Sequence, residues 1–501
     1  MSVAQGESAV PAIAVTPPPT LAQIIARFAA ATRFEDLPED VVASIKSRVL
    51  DILGICAAAS SLETSRAVRK WVESQAGVPQ ASAVGVATRL PAAQAAFVNG
   101  VLAHSLDYDD THLPSILHPS ASVIPAVLAA AEANGASGKD VIRAIAIGLE
   151  VCVRIGMAGY NKDTKNSTFF EHGQHATSIC GAMGAAAGVA ALLGDEATIC
   201  DSLGVAASMA SGIIESNRTG GTVKRLHCGW AAHSAVTAVE LVRVGLTGPP
   251  TVLEGRFGFF EAWLHGAFDA SAITDNLGEE WSIEGIFFKP YPANHFTHAA
   301  VDAAAKLRRA GIVPEDIESI TLGVPLPTLR TIGEPIEVKR RPETGYMAQF
   351  SGPFAIAAGL IGGGGLEVGL DDYTDELARD ESRRSLMAKV DVVEDERCSM
   401  IFPAQFPAVV TARLTDGRTI VEEVLVNRGG PGNALSFDEL TRKFRDNARR
   451  AMTQEAMGRL EDNCRNLDRV ADVRSLFAVL TEVDPVGRDS LSDFATASHS
   501  R

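Results

Sequence analysis

Over most of the first half of the chain, apolar residues recur at three- and four-residue intervals, the period of helices that bury a face. The stretch "EDLPEDVVASIKSRVLDILGICAAA" (35–59) is a clear case, with Asp36 reading as its N-cap and Pro38 as part of its first turn. In "SGKDVIRAIAIGLEVCVRIG" (137–156), Ser137 and Asp140 have the spacing of a capping box. "SASVIPAVLAAAEANG" (120–135) ends on Gly135, a C-terminal stop. Several of these segments are apolar nearly all round and rich in alanine, which suits helices packed inside a multi-helix bundle.

The period changes near 281. "IESITLGVPL", "MAKVDVVEDE" and "PAVVTARLTDGRTIVEEVLV" alternate in steps of two, and Asp416-Gly417 between two such runs predicts a hairpin. Helical stretches at 297–309 and 347–361 sit among them, and the helical period resumes at "SFDELTRKFRDNARRAM" (436–452). The expected fold is therefore mainly α. A large helical domain (21–280 and 431–485) is interrupted by a smaller α+β domain (281–430), between flexible tails at 1–20 and 486–501. The cleft between two such units is a natural ligand site.

Composition narrows the classes. Of 501 residues, 46% are hydrophobic and 21% charged, enough for a large core. A net charge of −16 with no basic block makes nucleic acid a poor partner. Seven scattered cysteines with no CxxC pair argue against a disulfide framework or a zinc ribbon. The start lacks the basic and apolar regions of a signal peptide. The apolar run at 179–194 falls short of the roughly 20 residues that span a bilayer. A cytoplasmic protein without membrane contact is expected.

Against that background "HSLDYDDTHLPSILHPS" (104–120) stands out, with three aspartates and three histidines between two apolar helices. Asp107, Thr111 and His118 fall before the helix that Pro119-Ser120 opens. A helix N-terminus favours carboxylates and the neutral form of a nearby imidazole, so His118 could accept a proton near pH 7. A structural Asp/Thr/His capping network accounts for the same residues. A divalent metal on Asp107, Asp109, Asp110 and His112 competes, but no second acidic motif completes a ligand set. Three further segments repeat the theme. His172 and His175 precede the Gly/Ala helix of "FEHGQHATSICGAMGAAAG". Lys224, Arg225 and His227 follow the flexible Gly220-Gly221, where cations at a helix start oppose the macrodipole and a bound anion would relieve the mismatch. A solvated basic loop is the plainer alternative there. Lys289, His295 and His298 lie in "FFKPYPANHFTHAAVDAA". Glycines 362–365 follow a helical run and no Lys-Ser/Thr follows them, so they read as a turn and not a phosphate loop. Imidazoles beside convergent cations suit proton transfer at a carbon next to a carboxylate, where positive charge must stabilise an enediolate.

The motifs "NGVLAHSLDYDDTH…HPSASVIPAVLAAAE", "VKRLHCGWAAHS", "GLTGPPTVLEGRFGFF" and "KPYPANHFTHAAVDAA" resemble the MmgE/PrpD family over about 20–485. That family includes 2-methylcitrate dehydratases, cis-aconitate decarboxylases and an iminodisuccinate epimerase. The resemblance implies a helical domain with a smaller lid, a homodimer, a small polycarboxylate substrate and no cofactor or metal. It implies active-site positions at Asp107, Thr111, His118, His175, Lys224 and Lys289. His118 and His175 would be the acid/base candidates, and Lys224 and Lys289, with Arg225 and His227 nearby, would hold carboxylates. Cys228 stands where many relatives have proline, and the interval from Thr111 to His118 is one residue longer than in animal decarboxylases. Dehydration is the first expectation, decarboxylation the second and epimerisation the third, with a non-catalytic helical binding protein as the reading of another class.

Overall fold

A computed structural model describes residues 17–75, 77–216 and 221–484. The expected tails therefore lie outside the described residues, save 17–20, where Thr20 closes a capping box on α1 (Leu21–Ala31). Gly220 lies outside them too.

The helical part comprises α2 (Glu39–Ala59), α3 (Glu63–Glu73), α4 (Ala92–His104), α5 (Ser120–Asn134), α6 (Gly138–Ala158), α7 (Ala176–Leu193), α8 (Glu196–Ala207) and α9 (Val223–Arg243). Helix α7 is 18 residues long and apolar enough to cross a membrane by composition, yet it lies buried against α5, α6, α8 and α9. The expected caps at Ser137/Asp140 and Gly135 are present, the latter at φ 63°. Asp36 differs from expectation. Pro38 caps α2, whereas the Asp36 carboxylate binds Arg33 across its own short turn, the nearer donor.

Small residues set how closely the helices approach. A Cβ on Gly100 of α4 would stand 2.8 Å from the Gly229 Cα of α9 and 2.9 Å from the Cys228 carbonyl. That backbone crossing, one helical turn before His104, brings the end of α4 beside His227 and Cys228.

After α9 the chain forms β2 (Ile286–Phe287), which pairs antiparallel with β1 (Thr111–His112), Thr111 opposite Phe287. It continues through α10 (His298–Arg309) into a four-stranded sheet: β3 (Ile317–Val324), β4 (Val390–Glu394), β5 (Ala408–Leu414) and β6 (Thr419–Val424). The order is β4-β3-β5-β6, with β3–β4 parallel and the other pairs antiparallel. The Asp416-Gly417 turn joins β5 to β6 as predicted, with Gly417 at φ 89°. Helices α10 and α11 (Gly352–Ile361) pack together, α10 against β5 and β6 and α11 against β4. The chain then returns as α12 (Phe437–Ala448) and α13 (Gln454–Arg465), which pack on α2. There Lys443 meets Asp51 at 2.8 Å, both fully buried.

Candidate active site

The charged stretch after α4 forms a buried loop whose backbone takes two left-handed non-glycine turns, Asp107 (φ 52°) and Ile116 (φ 55°). Such positions are costly unless their surroundings fix them. Asp107 is held by an ion pair and Ile116 by the bond from its N–H to the Leu113 carbonyl at 3.2 Å, and each of the three aspartates meets a different cation. Asp107 Oδ1 accepts from Lys289 Nζ at 3.0 Å, and its carbonyl accepts from the same ammonium at 2.7 Å. Asp109 Oδ2 lies 2.8 Å from His104 Nδ1. Asp110 Oδ2 accepts from Arg48 Nη1 at 2.6 Å, and its other oxygen accepts from the Ser120 backbone N–H at 3.2 Å. The β1–β2 pair carries Lys289 to Asp107, and Arg48 donates to the Ile286 carbonyl at 2.7 Å, tying the same two segments together.

These contacts tell against the competing metal reading of Asp107, Asp109, Asp110 and His112. Asp110 is taken by Arg48 and the start of α5, and His112 Nδ1 faces the Ser115 hydroxyl at 2.6 Å. Ligand atoms of Asp107, Asp109 and His118 do come within 4.8 Å of one another. Both carboxylates there already have a cationic partner, which a divalent ion would have to displace. Exhaustive EDTA treatment is accordingly expected to leave turnover intact. Loss of activity that one divalent ion restores would make this cluster a metal site.

His118 enters α5 with Nδ1 at 2.7 Å from the Asp110 carbonyl, so Nδ1 carries the hydrogen and Nε2 keeps its lone pair. The Thr111 hydroxyl stands 3.3 Å from the same nitrogen. Burial, more than the helix N-terminus invoked above, pushes the His118 imidazole down to about 4, so it is neutral at pH 7. His175 caps α7 and is held well below its usual value by burial and by the cations His104 and Lys224. Its Nδ1 lies 2.9 Å from His227 Nδ1, so one of these two neutral rings donates to the other. Burial lowers His227 to about 4. The imidazoles run in a row, with ring centroids 5.2 Å apart for His118–His104, 5.6 Å for His104–His175 and 4.9 Å for His175–His227.

Lys224, in the first turn of α9, is half-buried and has no hydrogen bond or ion pair with a described residue. Burial lowers its affinity for the proton, but Asp107, Tyr346 and Asp109 outweigh this and raise it. Asp107 is conversely held far below the usual carboxylate range: Lys289, Lys224, His118 and His104 together outweigh its desolvation.

The structure thus gathers Asp107, Thr111, His118, His175, Lys224, His227 and Lys289. It does not gather Arg225, whose guanidinium donates to the Thr64 hydroxyl at 3.0 Å, or His172, which faces His265. Two neighbours were not singled out in the sequence. Tyr346 comes from the α+β segment, with no local signal. His104 closes α4 five residues before Asp109, a spacing that is a signal only once the helix is known to end there. His295 is buried with neither ring nitrogen partnered among the described residues, between Phe287 and Phe406. A groove of about 420 Å³ lined by Asp302, Arg309, Glu367 and Arg428 lies elsewhere, with Arg309 and Glu367 paired at 2.6 Å.

Six buried imidazoles share a consequence. His112, His118 and His227 are pushed down to about 4 and His298 to about 3, chiefly by burial, while His175 and His295 are held well below the usual value. The unfolded chain takes up these protons near pH 6.5 and the folded chain does not, so stability falls as pH drops from about 6.5 toward 4. Against burial, Asp109 raises His104 to about 10. Its contribution is complete below pH 6.5 and offsets nothing in that window. The thermal midpoint is expected to fall from pH 7 to pH 5. An unchanged midpoint would show that these imidazoles are not buried in neutral form.

The chain matches the MmgE/PrpD N-terminal domain over residues 23–270 and the MmgE/PrpD C-terminal domain over residues 291–468. It is 28% identical over 481 residues to cis-aconitate decarboxylase of Mus musculus, covering 92% of this chain and 93% of that one. It is 27% identical over 467 residues to cis-aconitate decarboxylase of Aspergillus terreus, covering 89% of this chain and 93% of that one. A mitochondrial 2-methylcitrate dehydratase of Yarrowia lipolytica is 24% identical over 257 residues, 48% of this chain and 47% of that one.

Proposed function

The chain belongs to the MmgE/PrpD family, and from that premise we propose that it is a cofactor-independent lyase on a small tricarboxylate, with cis-aconitate decarboxylation as the preferred reaction. The observation that carries this is the placing of neutral His118 and His175 beside the Lys224 and Lys289 ammonium groups in one buried cluster. The lysines hold substrate carboxylates. On loss of CO₂ the electron pair moves through the double bond toward a neighbouring carboxylate, and their charge stabilises the enediolate that forms. An imidazole that has taken up a proton from solvent then gives it to the carbon beside that carboxylate. A neutral imidazole is a poor acid, but the incoming carboxylates raise its proton affinity and let it load in the complex. Asp107 and Thr111 fix Lys289 and His118, and the α+β segment over about 281–430, which supplies Lys289 and Tyr346, closes the site as a lid.

Dehydration was the first expectation from sequence. The order is reversed because relatives named cis-aconitate decarboxylase align over nearly the whole chain, whereas the dehydratase aligns over about half. Dehydration of 2-methylcitrate is the second reading, since it needs the same proton transfer. Incubation with cis-aconitate, 2-methylcitrate, citrate and iminodisuccinate, followed by proton NMR, separates these readings. Fastest turnover of cis-aconitate with CO₂ release is expected, and turnover of 2-methylcitrate alone would move the assignment to the dehydratase.

A further inference from the structure

His104 is the middle ring between the two acid/base candidates, and the proposed reaction leaves it without a task. It is the last residue of α4, where unsatisfied carbonyls favour a cation. Its side chain is 1% exposed, and that of its partner Asp109 is 0% exposed. The 2.8 Å contact fixes Nδ1 as a donor to the carboxylate, and Nε2 is buried with no hydrogen-bond partner among the described residues. The buried carboxylate at 2.8 Å favours the charged form of the ring, and no Lys or Arg among the described residues makes an ion pair with Asp109.

We infer that His104, clamped by Asp109, is a fixed imidazolium that adds like-charge repulsion to burial in keeping its two flanking rings neutral, His175 above all and His118 to a lesser degree. It is a positioning residue, and the inference rests on the proton-transfer reading of this site. The titratable groups around it come from three directions: Asp107, Asp109 and His118 from the loop after α4, His175 from the start of α7, and Lys224, His227 and Cys228 from α9. Of these, Asp109, the Cys228 sulfur and Asp107 favour charge on His104, against its burial. His104 in turn lowers both flanking imidazoles by like-charge repulsion. The arrangement lets one site keep a cation and two neutral bases within a row of rings about 5 Å apart.

The test is long-range proton–nitrogen NMR on the full chain labelled at its 11 histidines, between pH 5 and 9. One imidazole is expected to keep both nitrogens protonated at pH 8, and that signal should vanish in H104Q. It should vanish also in D109N, where burial without the carboxylate neutralises the ring; this second variant serves if the first does not fold. In H104Q, at least one imidazole that stays neutral throughout in the wild type should titrate about 1–3 units higher and enter the window. The pH profile of turnover should shift upward with it, on the alkaline side where that ring is the proton donor. Absence of a doubly protonated imidazole at pH 8, its survival in H104Q, or a lower kcat with an unmoved pH profile and unmoved titrations each overturns the inference. The spectra need no substrate, so inactivity toward every tricarboxylate would sink the proposed function and leave this result standing.

Discussion

His118→Gln is expected to yield a folded protein whose turnover, and whose transfer of solvent hydrogen to the product, fall by about 10²–10⁴-fold. The wild-type ring donates Nδ1–H to the Asp110 carbonyl and leaves Nε2 free, and burial keeps it neutral. Glutamine can restore the first hydrogen bond but carries no titratable atom, so local structure survives while the proton carrier is lost. The backbone N–H of residue 118 keeps its acceptor, the Thr177 hydroxyl at 3.2 Å. His175→Gln is the paired variant. Should only that one lose exchange, the acid/base role belongs to His175 and His118 positions the substrate. Normal exchange in both would make the cluster a structural knot.

The two lysines should separate kinetically alike but thermodynamically apart. Lys289→Met and Lys224→Ala each remove a charge-assisted contact to a carboxylate, about 1.5–3 kcal/mol or roughly 10–10²-fold in kcat/KM. Part of each loss should fall on kcat, because the charge they meet grows in the transition state. Lys289 has a further task. It is the counter-ion of Asp107, with side chains 2% and 16% exposed, and breaking a buried pair from one side costs about 3–5 kcal/mol. Lys224 has no such partner among the described residues, so its loss should leave the urea midpoint nearly in place. Wild-type kinetics in either variant would remove that lysine from the site, and equal stability losses would contradict the pairing described.

The sequence carried the helices, their caps and the β5–β6 hairpin because those signals are local: a period, a capping box at Ser137, an Asp-Gly turn. It also carried the concentration of imidazoles and lysines at helix starts. What it could not carry is which group meets which. Asp107 and Lys289 are brought together by a β pair only two residues long on each strand, too short to leave a periodic trace. Asp107, Asp109, Asp110 and His112, close in sequence, point to separate partners, because Arg48 of α2 and Lys289 arrive from distant segments. Arg225 shares a helix turn with Lys224, yet it faces Thr64. His104 drew no attention since its partner becomes visible only when α4 ends and the loop folds back. The neutrality of His118 was anticipated, but from the helix terminus. Depth of burial, which local sequence does not state, is the larger cause.

Deuterium incorporation tests the central claim most directly. Wild-type protein would be given cis-aconitate in D₂O and the product read by proton NMR and mass. One CO₂ released and one deuterium gained per product molecule are expected, at the carbon beside a carboxylate, with no added cofactor. Product formed without deuterium at that carbon, under conditions where its protons do not exchange unaided, would contradict proton transfer as the work of this site.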